Sequence, residues 1–207
     1  MKYTAEYSKH VTLLIAGGLI EPEKMNAINA IAIKYNLILY LTTAQNLRLL
    51  GATEENIDSI KKKLLELNLK LKAPGIFPLP KVCVAMPFCN LGLIDTFSLS
   101  DKILARYGDR KEVKPKYKIN ISGCPASCAG SKLADIGIVA TRGGFELYVG
   151  GKGGPLPKTG KRVAKGLSEN EIIDAVGKLA DFHAVKTPTK LRMFKLVDDQ
   201  DFPFPIA

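Results

Sequence analysis

Val82-Cys83-Val84-Ala85-Met86-Pro87-Phe88-Cys89 and Ser122-Gly123-Cys124-Pro125-Ala126-Ser127-Cys128-Ala129-Gly130 contain all four cysteines of the chain. The spacing is C-x5-C, then 34 residues, then C-x3-C. Two close pairs joined by a long connection can bring four thiolates to one centre, which suits a 4Fe–4S cluster or a tetrahedral zinc ion. Structural zinc knuckles usually place roughly two to four residues between ligands, so the first pair is long for zinc. Glycines and prolines around both pairs predict irregular backbone able to aim amides at sulfur. The plainer readings are two disulfides or four unrelated buried thiols. Nothing marks the chain as secreted, and a reducing compartment disfavours disulfides.

A chain of 207 residues fits one large domain or two small ones, and at 46% hydrophobic and 24% charged it can bury a core without disulfides. The net charge of +10 implies an anionic partner. Nucleic acid is a poor fit: the 30 Lys and Arg are spread along the chain, aromatics are 7%, and no nucleic-acid motif appears. A solvated lysine surface accounts for much of the excess. The apolar run Val11–Ile20 is too short to span a membrane, and Glu6 before it argues against a signal-peptide core. The expected location is cytoplasmic.

The expected class is α+β. The N-terminal third reads as a β-α-β-α unit. Val11–Ala16 is a strand. A helix opens at Glu21-Pro22-Glu23, with Met25, Ile28, Ile31, Ala32 and Tyr35 on one face and Asn36 as its stop. Leu37–Thr43 lacks polar alternation and predicts a buried strand. Thr53 is the expected cap of a second helix, whose inner stripe is Ile57, Ile60, Leu64 and Leu67. The breaker-rich Ala73–Pro80 predicts a boundary, giving domains 1–72 and 73–207.

Beyond it, Ser100 or Asp101 is the expected cap of a helix running to Gly108. Asp109–Lys116 is basic, with Arg110, Lys111, Lys114 and Lys116. Tyr117–Ser122 then alternates strictly, so Lys118, Asn120 and Ser122 share one side, and the same alternation adds Lys116 to it. Ala134–Thr141 and Phe145–Val149 read as a hairpin across Arg142-Gly143-Gly144. Gly150-Gly151-Lys152-Gly153-Gly154 is either a flexible turn or a set of amides open to an anion. Ser168-x-x-Glu171 is a capping box opening a helix with Ile172, Ile173, Val176, Leu179, Ala180 and His183 inward. Neither His183 nor His10 has a ligand partner in the pattern, and His183 reads as packing or solvated at its helix end.

C-x5-C followed by S-G-C-P-x-x-C resembles the cluster motif of the siroheme-dependent nitrite and sulfite reductases. Leu41-Thr42-Thr43-Ala44-Gln45-Asn46 resembles that family's L-T-x-R-Q segment, Ala134-Asp135-Ile136-Gly137-Ile138-Val139 its following strand, and Tyr148-Val149-Gly150-Gly151 its glycine-rich turn. The likeness runs from about residue 11 to about residue 195.

The resemblance implies a ferredoxin-like half domain followed by an α/β domain for siroheme and a 4Fe–4S cluster. It implies Cys83, Cys89, Cys124 and Cys128 as cluster ligands, with Cys128 also bridging to the siroheme iron. Lys116 and Lys118 match lysines that hold the substrate and favour its protonation, with Lys114 and Arg48 as weaker candidates. Gly150 and Gly151 would lie along the siroheme carboxylates, with Arg142, Lys152, Lys161 and Arg162 nearby to pair with them. A polycarboxylate tetrapyrrole and a small oxyanion would be the anionic partners. The implied reaction is the six-electron reduction of sulfite to sulfide, or of nitrite to ammonium, fed by an external donor (a ferredoxin-like protein or a reductase subunit). One copy of the unit, where larger members hold two, implies a homodimer or partner subunit. Neither Thr12-Leu13-Leu14-Ile15 nor Leu41–Gln45 carries the arginine the family commonly has there. Three other classes fit the residues: an iron–sulfur electron carrier, a protein for another tetrapyrrole, and a zinc-stapled module with a basic face.

Overall fold

In the N-terminal unit, the spacing of apolar residues makes a helix that covers one side of a small sheet. The computed structural model describes residues 9–111, 113–114, 116–187 and 191–205, so Glu6, and Glu112 and Pro115 within the basic stretch Asp109–Lys116, lie outside the described residues. Two units, Met1–Ala73 and Pro74–Ala207, each hold their own hydrophobic core. The first comprises β1 (Lys9–Leu13), α1 (Pro22–Lys34), β2 (Ile38–Leu41), β3 (Leu47–Ala52) and α2 (Ile57–Glu66). Pro22 sits in the first turn of α1 with Glu23 at its positive end. Ile28, Ile31 and Ala32 face the core, and Asn36 closes the helix in the left-handed region at φ 52°.

The sheet is antiparallel in the order β1-β3-β2, and this corrects two expectations. Its central strand, β3, is absent from the sequence reading, because adjacent Leu49 and Leu50 blur the two-residue period. Leu37–Thr43, read as a buried strand, yields the edge strand β2, with Tyr40 48% and Leu41 73% exposed. Thr53 does not cap α2. Its amide donates to Asn56 Oδ1 at 2.9 Å, and the helix starts at Ile57.

The second unit is a five-stranded sheet in the order β4-β5-β6-β7-β8, built from Lys81–Val82, Ile119–Ser122, Ile136–Thr141, Gly144–Val149 and Lys161–Leu167. β4, β5 and β6 run parallel; β7 and β8 are antiparallel additions. The hairpin turns across Arg142 and Gly143 as expected, with Gly144 at φ 110°. β8 went unread because five of its seven residues carry charge or are glycine or alanine, and of the strand only Val163 is buried. The short helix α3 (Ala85–Phe88) sits between the first two cysteines. α4 (Thr96–Tyr107) starts before the expected Ser100 or Asp101. Asp95 caps it, accepting from the amides of Phe97 and Ser98 at 2.9 and 3.0 Å, while Ser100 is buried inside. α5 (Glu169–Lys186) opens on the predicted capping box of Ser168 and Glu171.

The two faces of this sheet do different work. Ile119 and Ile121 of β5, with Ile136, Ile138, Leu147 and Val149, pack in one core with Leu99 and Ile103 of α4 and Ile172, Val176 and Leu179 of α5. Each such fully buried side chain contributes roughly 1.5–3 kcal/mol. Asn120 and Ser122 alternate to the other face and hold the segment that carries the second cysteine pair. Asn120 Nδ2 donates to the carbonyls of Ala129 and Gly130 at 2.9 and 3.2 Å, and the hydroxyls of Ser122 and Ser131 are 2.7 Å apart. Gly137 of β6 makes room, since a Cβ there would lie 2.0 Å from the Ser131 carbonyl oxygen.

Candidate metal centre and substrate site

Strand direction brings the two cysteine loops to the same edge of the second unit's sheet. β4 and β5 pair in parallel, Val82 opposite Ile121, so Cys83 and Cys124 leave neighbouring strands at the same, carboxyl end. Ligand sites of open α/β sheets form outside those ends. The Cys83 amide donates to the Ile121 carbonyl at 3.2 Å. Gly123 then ties the two pairs together: its amide donates to Cys83 Sγ at 3.1 Å, and its carbonyl accepts from the Leu93 amide at 2.8 Å. A Cβ on Gly123 would fall 2.3 Å from Ala85 Cβ, so only glycine allows this approach. Ala85 (φ 35°) and Ser127 (φ 56°), one in each cysteine loop, occupy the left-handed region that costs non-glycine residues energy.

All four cysteines are free thiols; Cys128 is exposed and the other three are half-buried. Among the described residues no three His, Cys, Asp or Glu side chains stand close enough to hold a single metal ion. A cube of iron and sulfide separates its thiolates by its own width, so it needs looser convergence than one tetrahedral ion. An all-thiolate donor set on two stitched loops, with an amide aimed at sulfur, fits such a cube. Val84, Met86 and Phe88 between the first two cysteines, and Leu91 and Leu93 just after, are exposed apolar side chains, Phe88 at 75%. That surface suits the flat face of a macrocycle.

Of the two main candidate substrate lysines, Lys118 keeps the place that alternation gives it and Lys116 does not. Lys118 is exposed, one residue before β5, with its amide held by Asp135 Oδ2 at 3.1 Å. Its place in the alternation puts it on the Asn120 and Ser122 face, with the cysteine segment. Lys116 is exposed too, but it sits in a turn at φ 68°, so the strand does not extend back to it. Lys114 lines a cleft against α5, on the core side of the sheet. Arg48 lies in the other unit on β3, in register with Thr12 and Tyr40, and its buried Nε has no hydrogen-bond partner.

The cations nominated for siroheme carboxylates are mostly engaged within the protein. Lys161 pairs with Asp198 at 2.5 Å and Arg162 with Glu146 at 2.8 Å. Lys152 lies over the Phe194 ring, 4.9 Å from its centroid. Gly150 and Gly151 are buried and serve packing: a Cβ on Gly150 would meet Val197 at 2.6 Å, and one on Gly151 the Lys132 carbonyl oxygen at 2.4 Å. Register places this turn beyond β7, at the end of the sheet where β5 begins. Arg142 is at the other end, beyond Thr141, on the side where the cysteine loops leave their strands. It is exposed and has no ion pair among the described residues.

Asp135 is the organising residue that the sequence reading missed. Fully buried, it accepts from Arg192 Nε at 2.8 Å, from the Met193 amide at 3.1 Å and from the Lys118 amide. Its carbonyl accepts from the Gly150 amide at 3.0 Å. One residue thereby fixes the start of β5, the turn after β7 and the closing segment. Burial raises its carboxyl above the ordinary range, against the opposing pull of Arg192. The signal was an acid immediately ahead of an all-apolar strand, which demands a buried partner. His183 is buried rather than solvated: its ring stacks on Tyr117 at 4.7 Å, Nε2 lies 2.8 Å from the Leu191 carbonyl, and burial lowers its pKa.

The family described as "Nitrite and sulphite reductase 4Fe-4S domain" matches residues 79–202, and "Nitrite/Sulfite reductase ferredoxin-like half domain" matches residues 4–67. The chain belongs to the siroheme-dependent nitrite and sulfite reductase family. An assimilatory-type sulfite reductase of Nitratidesulfovibrio vulgaris is 30% identical over 182 residues, covering 87% of this chain and 83% of that protein. The large subunit of the Escherichia coli NADH nitrite reductase is 29% identical over 177 residues, 84% of this chain but 21% of its own length. The chain thus spans a small part of the nitrite reductases it matches, and most of that sulfite reductase. Among solved structures, NirA of Mycobacterium tuberculosis superposes with TM-score 0.73 at 20% identity, over 91% of this chain and 37% of that one. Dissimilatory sulfite reductase I superposes with TM-score 0.77 at 12% identity, over 91% of this chain and 66% of that one. These two support the α+β fold. The family's cofactors are a 4Fe–4S cluster and siroheme.

Proposed function

We propose that this chain reduces sulfite to sulfide, with nitrite to ammonium as the close variant, using siroheme coupled to a 4Fe–4S cluster. The observation that carries the reading is the stitching of the two cysteine loops at the ends of β4 and β5, with the Gly123 amide on Cys83 Sγ. When bound, the two cofactors supply stored electrons and an open metal position for the oxyanion.

The remaining work falls to side chains of the chain. Cys83, Cys89, Cys124 and Cys128 would hold the cluster, and Cys128, the exposed one of the four, would lie nearest the siroheme. The exposed apolar side chains from Val84 to Leu93 would seat the ring and keep water from it. Arg142, which has no ion pair among the described residues, would meet a ring carboxylate from the cysteine side. Lys118, and Lys116 beside it, attract the oxyanion, offset its charge and place protons at the leaving oxygens, which depart as water. Arg48 is a weaker candidate, carried on the ferredoxin-like half. Residues 1–72 form that half and 73–207 the cofactor domain. An external donor of electrons is required, the cytoplasm is the proposed location, and a second copy of the chain or a partner subunit is proposed to complete the pocket. Among the described residues no helix is long and apolar enough to cross a membrane.

Anaerobic reconstitution with iron, sulfide and siroheme, followed by sulfide release from sulfite with a reduced dye, tests the reading. A siroheme-loaded chain that produces neither sulfide from sulfite nor ammonium from nitrite would overturn it.

A further inference from the structure

We propose that Thr96, the first residue of α4, is a positioning residue for the iron–sulfur centre: its hydroxyl holds the Cys83 carbonyl and so keeps the Cys83 sulfur under the Gly123 amide. The inference rests on the reading of Cys83 as a cluster ligand. Thr96 is fully buried, and its Oγ1 donates to the Cys83 carbonyl at 2.5 Å. With that bond Cys83 is held at three atoms. Its amide donates to the Ile121 carbonyl at 3.2 Å, and its Sγ accepts from the Gly123 amide at 3.1 Å. Among the described residues no other cysteine sulfur accepts a hydrogen bond.

The hydroxyl can act as a fixed point because the start of α4 is itself fixed. Asp95 caps the helix through the amides of Phe97 and Ser98, and Leu99 and Ile103 anchor it in the core. Two residues just ahead of Thr96 bond to both cysteine loops. The Leu93 amide donates to the Gly123 carbonyl at 2.8 Å, and the Ile94 carbonyl accepts from the Met86 amide at 3.1 Å. Thr96 adds the bond that reaches a ligand residue directly, while its methyl packs beneath Gly123, 3.2 Å from where a Cβ there would stand. One side chain therefore touches both loops. An amide on a thiolate sulfur draws charge from it and favours the more negative, reduced form of a cluster. Losing the Thr96 hydroxyl lets Cys83 drift from that amide, so the potential moves in the negative direction.

The test uses Thr96→Val, which keeps the buried shape and removes the hydroxyl, and Thr96→Ser, which keeps the hydroxyl without the methyl. In the metal-free chain, with all thiols reduced, alkylation by iodoacetamide is followed cysteine by cysteine. Relative to the other three thiols, Cys83 should react about fivefold faster in Thr96→Val than in the parent, the measure of one lost hydrogen bond, and Thr96→Ser should match the parent. After anaerobic reconstitution, the cluster of Thr96→Val should titrate at a more negative potential than the parent's, with Thr96→Ser again alike. An unchanged Cys83 rate in Thr96→Val, an equal rise at all four cysteines, an unshifted potential, or a serine variant that behaves like valine would overturn the proposal. The alkylation measurement needs no cofactor, so it decides the role of Thr96 separately from whether the chain holds a cluster or reduces sulfite.

Discussion

The Gly123 amide donates to the sulfur of Cys83 across 3.1 Å, although 40 positions separate the two residues. One hydrogen bond thus joins the C-x5-C loop to the C-x3-C loop, and it does so at a point where the backbones touch. The absent side chain of Gly123 is as important as its amide, because Ala85 and Thr96 crowd the place where a Cβ would go, at 2.3 and 3.2 Å.

Gly123→Ala should therefore separate the loops. We expect a stability loss of about 1–3 kcal/mol from overpacking and a marked drop in iron bound per chain after reconstitution. Denaturant unfolding and iron analysis on the same preparation check both. Unchanged iron content would show that this contact does not hold the loops together.

Much of the second unit was legible because its signals are local. Ser168 and Glu171 announce α5 within four residues, and Arg142-Gly143-Gly144 announces the hairpin. What was not legible depends on distant partners. β3 carries no clean period, and its central place is set by pairing on both sides with β1 and β2. The nominated cations show the same limit: sequence places Lys161 and Arg162 near a glycine turn, but only the fold shows Asp198 and Glu146 against them. The register likewise separates the Gly150 turn from the cysteine end, which no spacing reveals. The cysteine motif was readable since its two pairs are each local and their chemistry is distinctive.

Asp135 and Arg192 form a charged pair with one partner fully buried, tying the closing segment to the sheet. Arg192→Ala leaves the carboxylate buried without its cation and should cost about 3 kcal/mol or more, as broken buried pairs do. Asp135→Asn should also be destabilising, and should release the start of β5, since the Lys118 amide loses its acceptor. Unfolding of the single and double variants gives the coupling. Additive losses would mean that the two residues act independently.

His183 gives the pH dependence a definite sign. Burial lowers its folded-state pKa, so the unfolded chain takes up a proton at higher pH than the folded one. Its stabilising contribution is complete above the ordinary imidazole value of about 6.5 and is lost progressively as pH falls from there towards the depressed folded value. Asp135, Arg192 and Lys114 act on this ring, and Asp135, whose own pKa is raised, works with the opposite sign. Comparing the parent chain with His183→Gln isolates the imidazole: between about pH 5 and 6.5 the parent should lose stability more steeply than the variant. Equal slopes would contradict it.

Lys116 and Lys118 separate charge from backbone. Both are exposed, so Lys118→Ala should change stability by less than about 0.5 kcal/mol. Lys116→Gly removes the charge while relieving a residue held at φ 68°, and should leave the fold as stable or more so. Losing both charges should lower sulfite reduction by about a hundredfold, as removal of a charge-stabilising donor typically does. Rates measured with siroheme and iron content matched decide it, and an undiminished rate would move the oxyanion site elsewhere.

The most direct test is the iron and acid-labile sulfide content of the anaerobically reconstituted chain, set beside variants in which each cysteine is replaced by serine. If Cys83, Cys89, Cys124 and Cys128 are the ligands we propose, the chain should carry about four irons and four sulfides, lost or sharply reduced in every one of the four variants. A colourless chain that binds one zinc, or full iron and sulfide in any of the variants, would contradict it.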